Sequence, residues 1–168
     1  STLDKWILSR LNTLIKNTDE NLNSYKLTDA AREIQNFVDD LSNWYIRRGR
    51  ERYWGSEYTN DKISAYMTLY EVLVTLSKLI APFVPFISEQ IYQNLVLSIN
   101  PNEPISVHLC DYPKYDDKLI DKELERNMNT VLSLVFLGRS CRNSVNIKNR
   151  QPLSTIFIKS NVSLPEEY

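Results

Sequence analysis

The chain is poor in the residues from which small catalytic and metal sites are usually built. Its 168 residues include three glycines, two cysteines and one histidine. Gly49, Gly55 and Gly138 are too few and too scattered for a dinucleotide fingerprint or a phosphate-binding P-loop, which need several glycines at fixed offsets. A Ser–His–Asp or Cys–His site would have to be built round His108, and no G-x-S-x-G elbow accompanies it. His108 and Cys110 stand two apart in SVHLCDYP, but a structural zinc site normally takes four Cys or His ligands and the whole chain offers three. The alternation there reads as a strand-like segment, and no metal is expected. The adjacent acids Asp39–Asp40 and Asp116–Asp117 would point about 100° apart on a helix and cannot flank one substrate. No catalytic residue is expected in this chain.

Other absences set the class. Two cysteines allow at most one bridge, and nothing else suggests a disulfide-stapled secreted domain, so reduced thiols and a cytoplasmic setting are expected. No apolar run approaches the ~20 residues of a spanning helix, and no membrane is expected. The opening STLDKWILSRLN mixes charge into its apolar positions and lacks a signal-peptide core. Charge of one sign is lacking too: 20 Lys and Arg face 21 Asp and Glu, a formal net charge of −1. With 42% hydrophobic residues the chain has material for a core, in one domain or one domain with a small appendage. The missing initial methionine, and an end just past a strand-like stretch, lead us to expect a piece of a longer protein.

What is present is helical periodicity. Leu3, Ile7, Leu11, Leu14, Ile15 and Leu22 predict a first helix over 3–23. A second is predicted to start at Thr28 as N-cap, with Ala31, Ile34, Phe37, Val38, Leu41, Trp44 and Tyr45 on its apolar side. A third runs from about Asp61 to the prolines of APFVPF, and Pro85 suits the first turn of a fourth, to about Leu97. ISVHLCDYP reads as a connector or short strand. A fifth helix, about Lys118 to Val145, begins acidic and ends basic, as the helix dipole favours. STIFIK, Ser154–Lys159, is a predicted strand that would pair with Ile105–Leu109 or with structure elsewhere. The expected fold is mainly α: a bundle of four to five helices with a small C-terminal α/β appendage. The expected organisation is a bundle over 1–99, a connector over 100–117, and a helix and strand over 118–168.

Near-zero net charge conceals two basic stretches. Asn43–Trp54, NWYIRRGRERYW, holds four arginines and four aromatic residues in twelve positions. Arg139–Arg150, RSCRNSVNIKNR, holds Arg139, Arg142, Lys148 and Arg150 and no acid. Clustered cations of this kind are the distribution sought in a nucleic-acid binder. Arginine forks onto phosphate and stacks on bases, while Tyr and Trp offer faces to unpaired bases, which suits an RNA loop better than a duplex. On a wheel at about 100° per residue, Trp44, Tyr45 and Arg48 fall on the side of Phe37 and Leu41, and Arg47 and Arg50 fall opposite. Trp44 and Tyr45 then read as core, and Arg48 needs a partner or an exit from the bundle. From composition alone, an RNA surface and a solvated helix end account for the cluster equally well.

The ordered blocks LDKWILSRLN, DLSNWYIRRGRERYW, LIAPFVPFISEQIYQNL, SVHLCDYP and RNSVNIKNRQPL carry a family resemblance. Over essentially the whole chain they resemble the anticodon-binding region of an isoleucyl-tRNA synthetase, in the branch shared by eukaryotic cytosolic enzymes and some bacteria. APFxPF by itself also occurs in valyl and leucyl relatives. The resemblance implies a parent that joins isoleucine to its tRNA using ATP with Mg, through HIGH and KMSKS motifs that this sequence does not contain. It implies that this segment has no cofactor of its own, receives the tRNA anticodon arm and packs on the catalytic domain of the same chain. On that basis Arg47, Arg50 and Arg52 become phosphate candidates and Trp54 a stacking candidate, while Arg48 is a candidate interdomain contact. Lys148, Arg150 and Gln151 form a second candidate RNA surface, or else a connector into a further subdomain. The alternatives are a helical protein-interaction domain that binds an acidic partner, or the same module from a valyl or leucyl enzyme.

Overall fold

The first helix opens on a cap: the Ser1 hydroxyl accepts from the Asp4 amide at 3.3 Å, and α1 runs Thr2–Asn23. The computed structural model describes residues 1–159, in two units, Ser1–Ile120 and the segment from Asp121 onward. The second helix, α2, spans Leu27–Asp39 and continues without a break into a π-helical stretch, Asp40–Ile46. The short α3 is Arg50–Trp54, and α4 is Asn60–Ile80, capped by the Thr59 hydroxyl. Pro85 occupies the first turn of α5, Pro85–Tyr92, which passes into a second π-helical stretch, Gln93–Leu97. The expected mainly helical bundle is what the chain forms.

The core of the first unit is the meeting of apolar stripes at helical spacing. Trp6, Ile7, Leu11, Leu14 and Ile15 of α1 are buried with Phe37 and Leu41 and with Val72, Leu76 and Leu79 of α4. Helix α1 packs on both α2 and α4, and α4 packs on α5. Helix α4 is long and apolar enough to cross a membrane, which corrects the expectation of no such run, but here it supplies the centre of the bundle. A smaller apolar cluster joins Ala81, Tyr92, Val96 and Val107. Polar ties close the frame: Arg10 with Asp40 at 3.0 Å, Asn17 with Glu33 at 2.9 Å and Lys16 with Asp117 at 3.0 Å.

Four sequence expectations change. The N-cap of α2 is Lys26, which makes no side-chain cap, and Thr28 lies inside the helix. The segment 105–109 contains a 3₁₀ turn, Val107–Leu109, because its polar groups are taken by side chains of α5 and of the π-helical stretch after it. The Glu89 carboxylate accepts from the Val107 amide and the Ser106 hydroxyl, each at 2.9 Å, and Gln93 donates to the Ile105 carbonyl at 2.9 Å. The last helix, α6, is Lys122–Ser144, with Asp121 capping the Leu124 amide at 2.9 Å; Asp117–Leu119 is a separate 3₁₀ turn. Residues 154–159 pair with no strand among the described residues, so the α/β appendage is not formed there.

One charged cluster joins the elements of the first unit. The Arg52 guanidinium donates to both Asp4 oxygens, from Nη1 at 2.8 Å and from Nη2 at 2.8 Å. The same side chain donates from Nε and Nη2 to the Asp61 carboxylate, each at 2.8 Å. The Tyr45 hydroxyl donates to Asp4 Oδ1 at 2.7 Å. Burial alone would raise the Asp4 carboxyl, but hydrogen bonds from Arg52, from the Ser1 ammonium at 2.8 Å and from Tyr45 hold it well below the usual carboxylate range. Burial and the Asp4 bond push the Tyr45 phenol up, which keeps it a neutral donor.

The folded Asp4 carboxyl thus lies below the ~3.9 of an unfolded aspartate, so its stabilisation is complete above that value and is lost as pH falls towards the folded one. Urea midpoints of the unsubstituted chain should drop as the pH is taken below about 4. Asp4→Asn should be about 2 kcal/mol less stable at neutral pH, because it leaves a half-buried guanidinium with only the exposed Asp61 as a charged partner, and should lose less on acidification. The same acid dependence in both chains would show that this carboxyl does not set it.

Candidate nucleic-acid interface

The π-helical stretch decides which arginines reach the surface. In an α-helix a step of four residues overshoots one turn by about 40°, so a stripe at that interval drifts round the helix. Here Phe37, Leu41, Tyr45 and Gly49 are all buried at intervals of four, because the wider π turn takes up the drift. Gly49 is required where the stripe ends: a Cβ there would stand 2.9 Å from the Tyr45 carbonyl oxygen. Arg47 and Arg48 both emerge exposed. A uniform wheel places Arg48 on the buried side, and the change of helical pitch removes that conflict.

Beyond Gly49, α3 holds the rest of the motif. Arg50 and Trp54 are one turn apart, and the Arg50 guanidinium lies 4.7 Å from the centre of the Trp54 ring. The indole is 75% exposed, so the ring is open apart from the guanidinium. A stacked guanidinium keeps its N–H edge free for an anion. Neither Arg47 nor Arg50 forms an ion pair with any described carboxylate. Arg52 differs: its side chain is 15% exposed, and Asp4 and Asp61 occupy its donors. That withdraws Arg52 from the candidate phosphate contacts, because its fork is already filled by carboxylates.

The loop after α3 adds groups that composition did not single out. Lys62 of α4 stands 4.9 Å from the centre of the Tyr58 ring and 5.9 Å from that of Tyr66, and it donates to the Gly55 carbonyl. Tyr66 meets Tyr53 edge-on at 5.3 Å and 87°. The signal was available in the sequence, since Tyr58, Lys62 and Tyr66 recur at intervals of four.

The second basic stretch lies in the second unit. Helix α6 ends in a Schellman turn, with Asn146 in the left-handed region at φ 56° and the Ile147 amide bonded to the Arg142 carbonyl at 2.9 Å. Arg142 Nη1 then donates to the carbonyls of Lys148 at 3.1 Å and Gln151 at 2.7 Å, which gathers the following turn. Lys148, Arg150 and Gln151 are exposed on that turn. Arg142 therefore shapes the stretch and is not part of its outer face. Both cysteines are free thiols. Among the described residues, no group of three His, Cys, Asp or Glu is placed to hold a metal ion.

Comparison with known proteins gives the family. Residues 4–157 match the model of the anticodon-binding domain of tRNA ligases, and the chain belongs to that family. It is 60% identical over its full length to the isoleucine–tRNA ligase of Clostridium acetobutylicum, of which it covers 16%. Over 93% of the chain it is 51% identical to the isoleucine–tRNA ligase of Dehalococcoides mccartyi strain 195, covering 15% of that protein. It is 48% identical over 93% of its length to the Bacteroides thetaiotaomicron isoleucine–tRNA ligase, covering 14%. All three relatives are bacterial.

The role given to Arg142 has a direct check. Arg142→Ala should leave α6 in place yet release the turn, so that trypsin cuts after Lys148 and Arg150 faster than in the unsubstituted chain. Unchanged cleavage at both bonds would show that the turn holds its shape without the guanidinium.

Proposed function

We propose that this chain is the tRNA anticodon-arm recognition module of an isoleucine–tRNA ligase. The observation that carries the reading is the free cationic edge of Arg50 beside the open face of Trp54, with Arg47 exposed three residues earlier, in a chain of this family. Arg47 and Arg50 bind backbone phosphates and fix the register of the arm, and Trp54 stacks on a base splayed from the loop. Lys148, Arg150 and Gln151 make a second contact along the RNA. Arg48 faces the catalytic domain of the same chain. The parent enzyme works in the cytoplasm and joins isoleucine to its tRNA using ATP with Mg, at a site that this segment does not contribute. Docking of the anticodon arm here orients the distant acceptor end towards that site.

Isoleucine is preferred over valine or leucine because the relatives matched at 48–60% identity are isoleucine–tRNA ligases. The family match favours this reading over a purely protein-binding domain.

Titration with the isoleucine anticodon stem-loop and a scrambled loop, at two salt concentrations, tests the reading. A preference for the cognate loop that survives higher salt is expected. The double substitution Arg47→Ala, Arg50→Ala should weaken binding and flatten the dependence of log K on log salt by about 0.7 for each phosphate no longer neutralised. Unchanged affinity and slope in that variant would remove these two residues from the interface. No preference between the loops would leave a general basic patch.

A further inference from the structure

We infer that Tyr58 and Lys62 form a second base-stacking position beside Trp54, so that the α3–α4 corner holds consecutive unpaired bases of an RNA loop. This rests on the RNA-binding reading above and extends it to residues that the basic motif does not include.

The two positions share one design. Trp54 is an open ring with a cation over it one helical turn away, and Tyr58 is an 83% exposed ring with the Lys62 ammonium 4.9 Å from its centre. A cation beside a ring suits a single strand, in which each stacked base is joined to the next by a phosphate. Paired bases already stack within their own duplex, so the arrangement fits a loop with its bases turned outward.

The corner is also held in place. Lys62 donates to the Gly55 carbonyl in the loop between the two rings, and Tyr66 donates to the Tyr53 carbonyl at 3.4 Å. Arg52 joins α3 to Asp61, the residue before Lys62. Exposed aromatic rings on a mobile loop would lose most of their stacking energy to ordering, and these ties reduce that loss.

The test uses the 168-residue chain and the isoleucine anticodon stem-loop with 2-aminopurine at successive loop positions. In the unsubstituted chain, binding should quench two neighbouring positions, one for each ring. Tyr58→Ala should weaken binding about tenfold, equivalent to ~1.4 kcal/mol and within the range for one base on an aromatic ring. It should restore fluorescence at one position and leave the salt slope unchanged, because an uncharged phenol neutralises no phosphate. Tyr58→Phe should behave as the unsubstituted chain. If Tyr58→Ala binds and quenches normally while the Arg47, Arg50 double variant is weakened, the second position is refuted and the RNA-binding reading stands. If the unsubstituted chain binds no stem-loop at low salt, that reading fails and this inference fails with it.

Discussion

The first unit depends on a guanidinium held between two carboxylates. Arg52 ties Asp4 at the start of α1 to Asp61 at the start of α4, and Tyr45 at the end of the π-helical stretch joins through the same aspartate, Asp4. Helix α3 is five residues long and has too few hydrogen bonds to be stable by itself. Its direction is set from outside, by the side chain at its third position. The Asp4 side of the cluster is costly to break because those charges are largely withdrawn from water, with Asp4 8% and Arg52 15% exposed at the side chain, while Asp61 stays 56% exposed. The exposed Arg50 and Trp54 pair sits two residues to either side of this joint and inherits its rigidity.

The π-helical stretch works with that joint. By widening one turn it brings Tyr45 to Asp4 and leaves Gly49 against the backbone, while Arg47 and Arg48 are carried to the surface. A regular helix through the same residues would turn Arg48 inward and leave a charge to be buried. Four arginines in six positions therefore have separate fates, set by helical pitch and by one internal ion pair.

Much of the fold was legible in the sequence because burial at helical spacing is a local signal. The stripe of α1 follows from its apolar period, and Pro85 marks the start of α5. Neither stretch pairs as a strand among the described residues, for the same reason: a strand exists through its partner, and alternation at 105–109 or 154–159 does not supply one. At 105–109 the partners are the side chains of Glu89 and Gln93. The site was legible in part. The exposed cations and Trp54 stand out in the composition, but Arg52 could not be separated from them, since Asp4 lies 48 residues away. Tyr58, Lys62 and Tyr66 carry a periodic signal that the denser arginine cluster obscured.

The two basic stretches share a pattern, which accounts for their concentration in a chain without net basic charge. Each contains one arginine that turns inward and organises its neighbours, Arg52 on two carboxylates and Arg142 on two backbone carbonyls. Each leaves other cations facing outward on the backbone so organised, Arg47 and Arg50 in one unit and Lys148 and Arg150 in the other. Arginine suits both tasks because its rigid fork of donors can be filled by protein oxygens or offered to phosphate oxygens. A count of positive charge cannot separate the two uses. The separation depends on which guanidinium has its acceptors already in place, and that is decided by the fold.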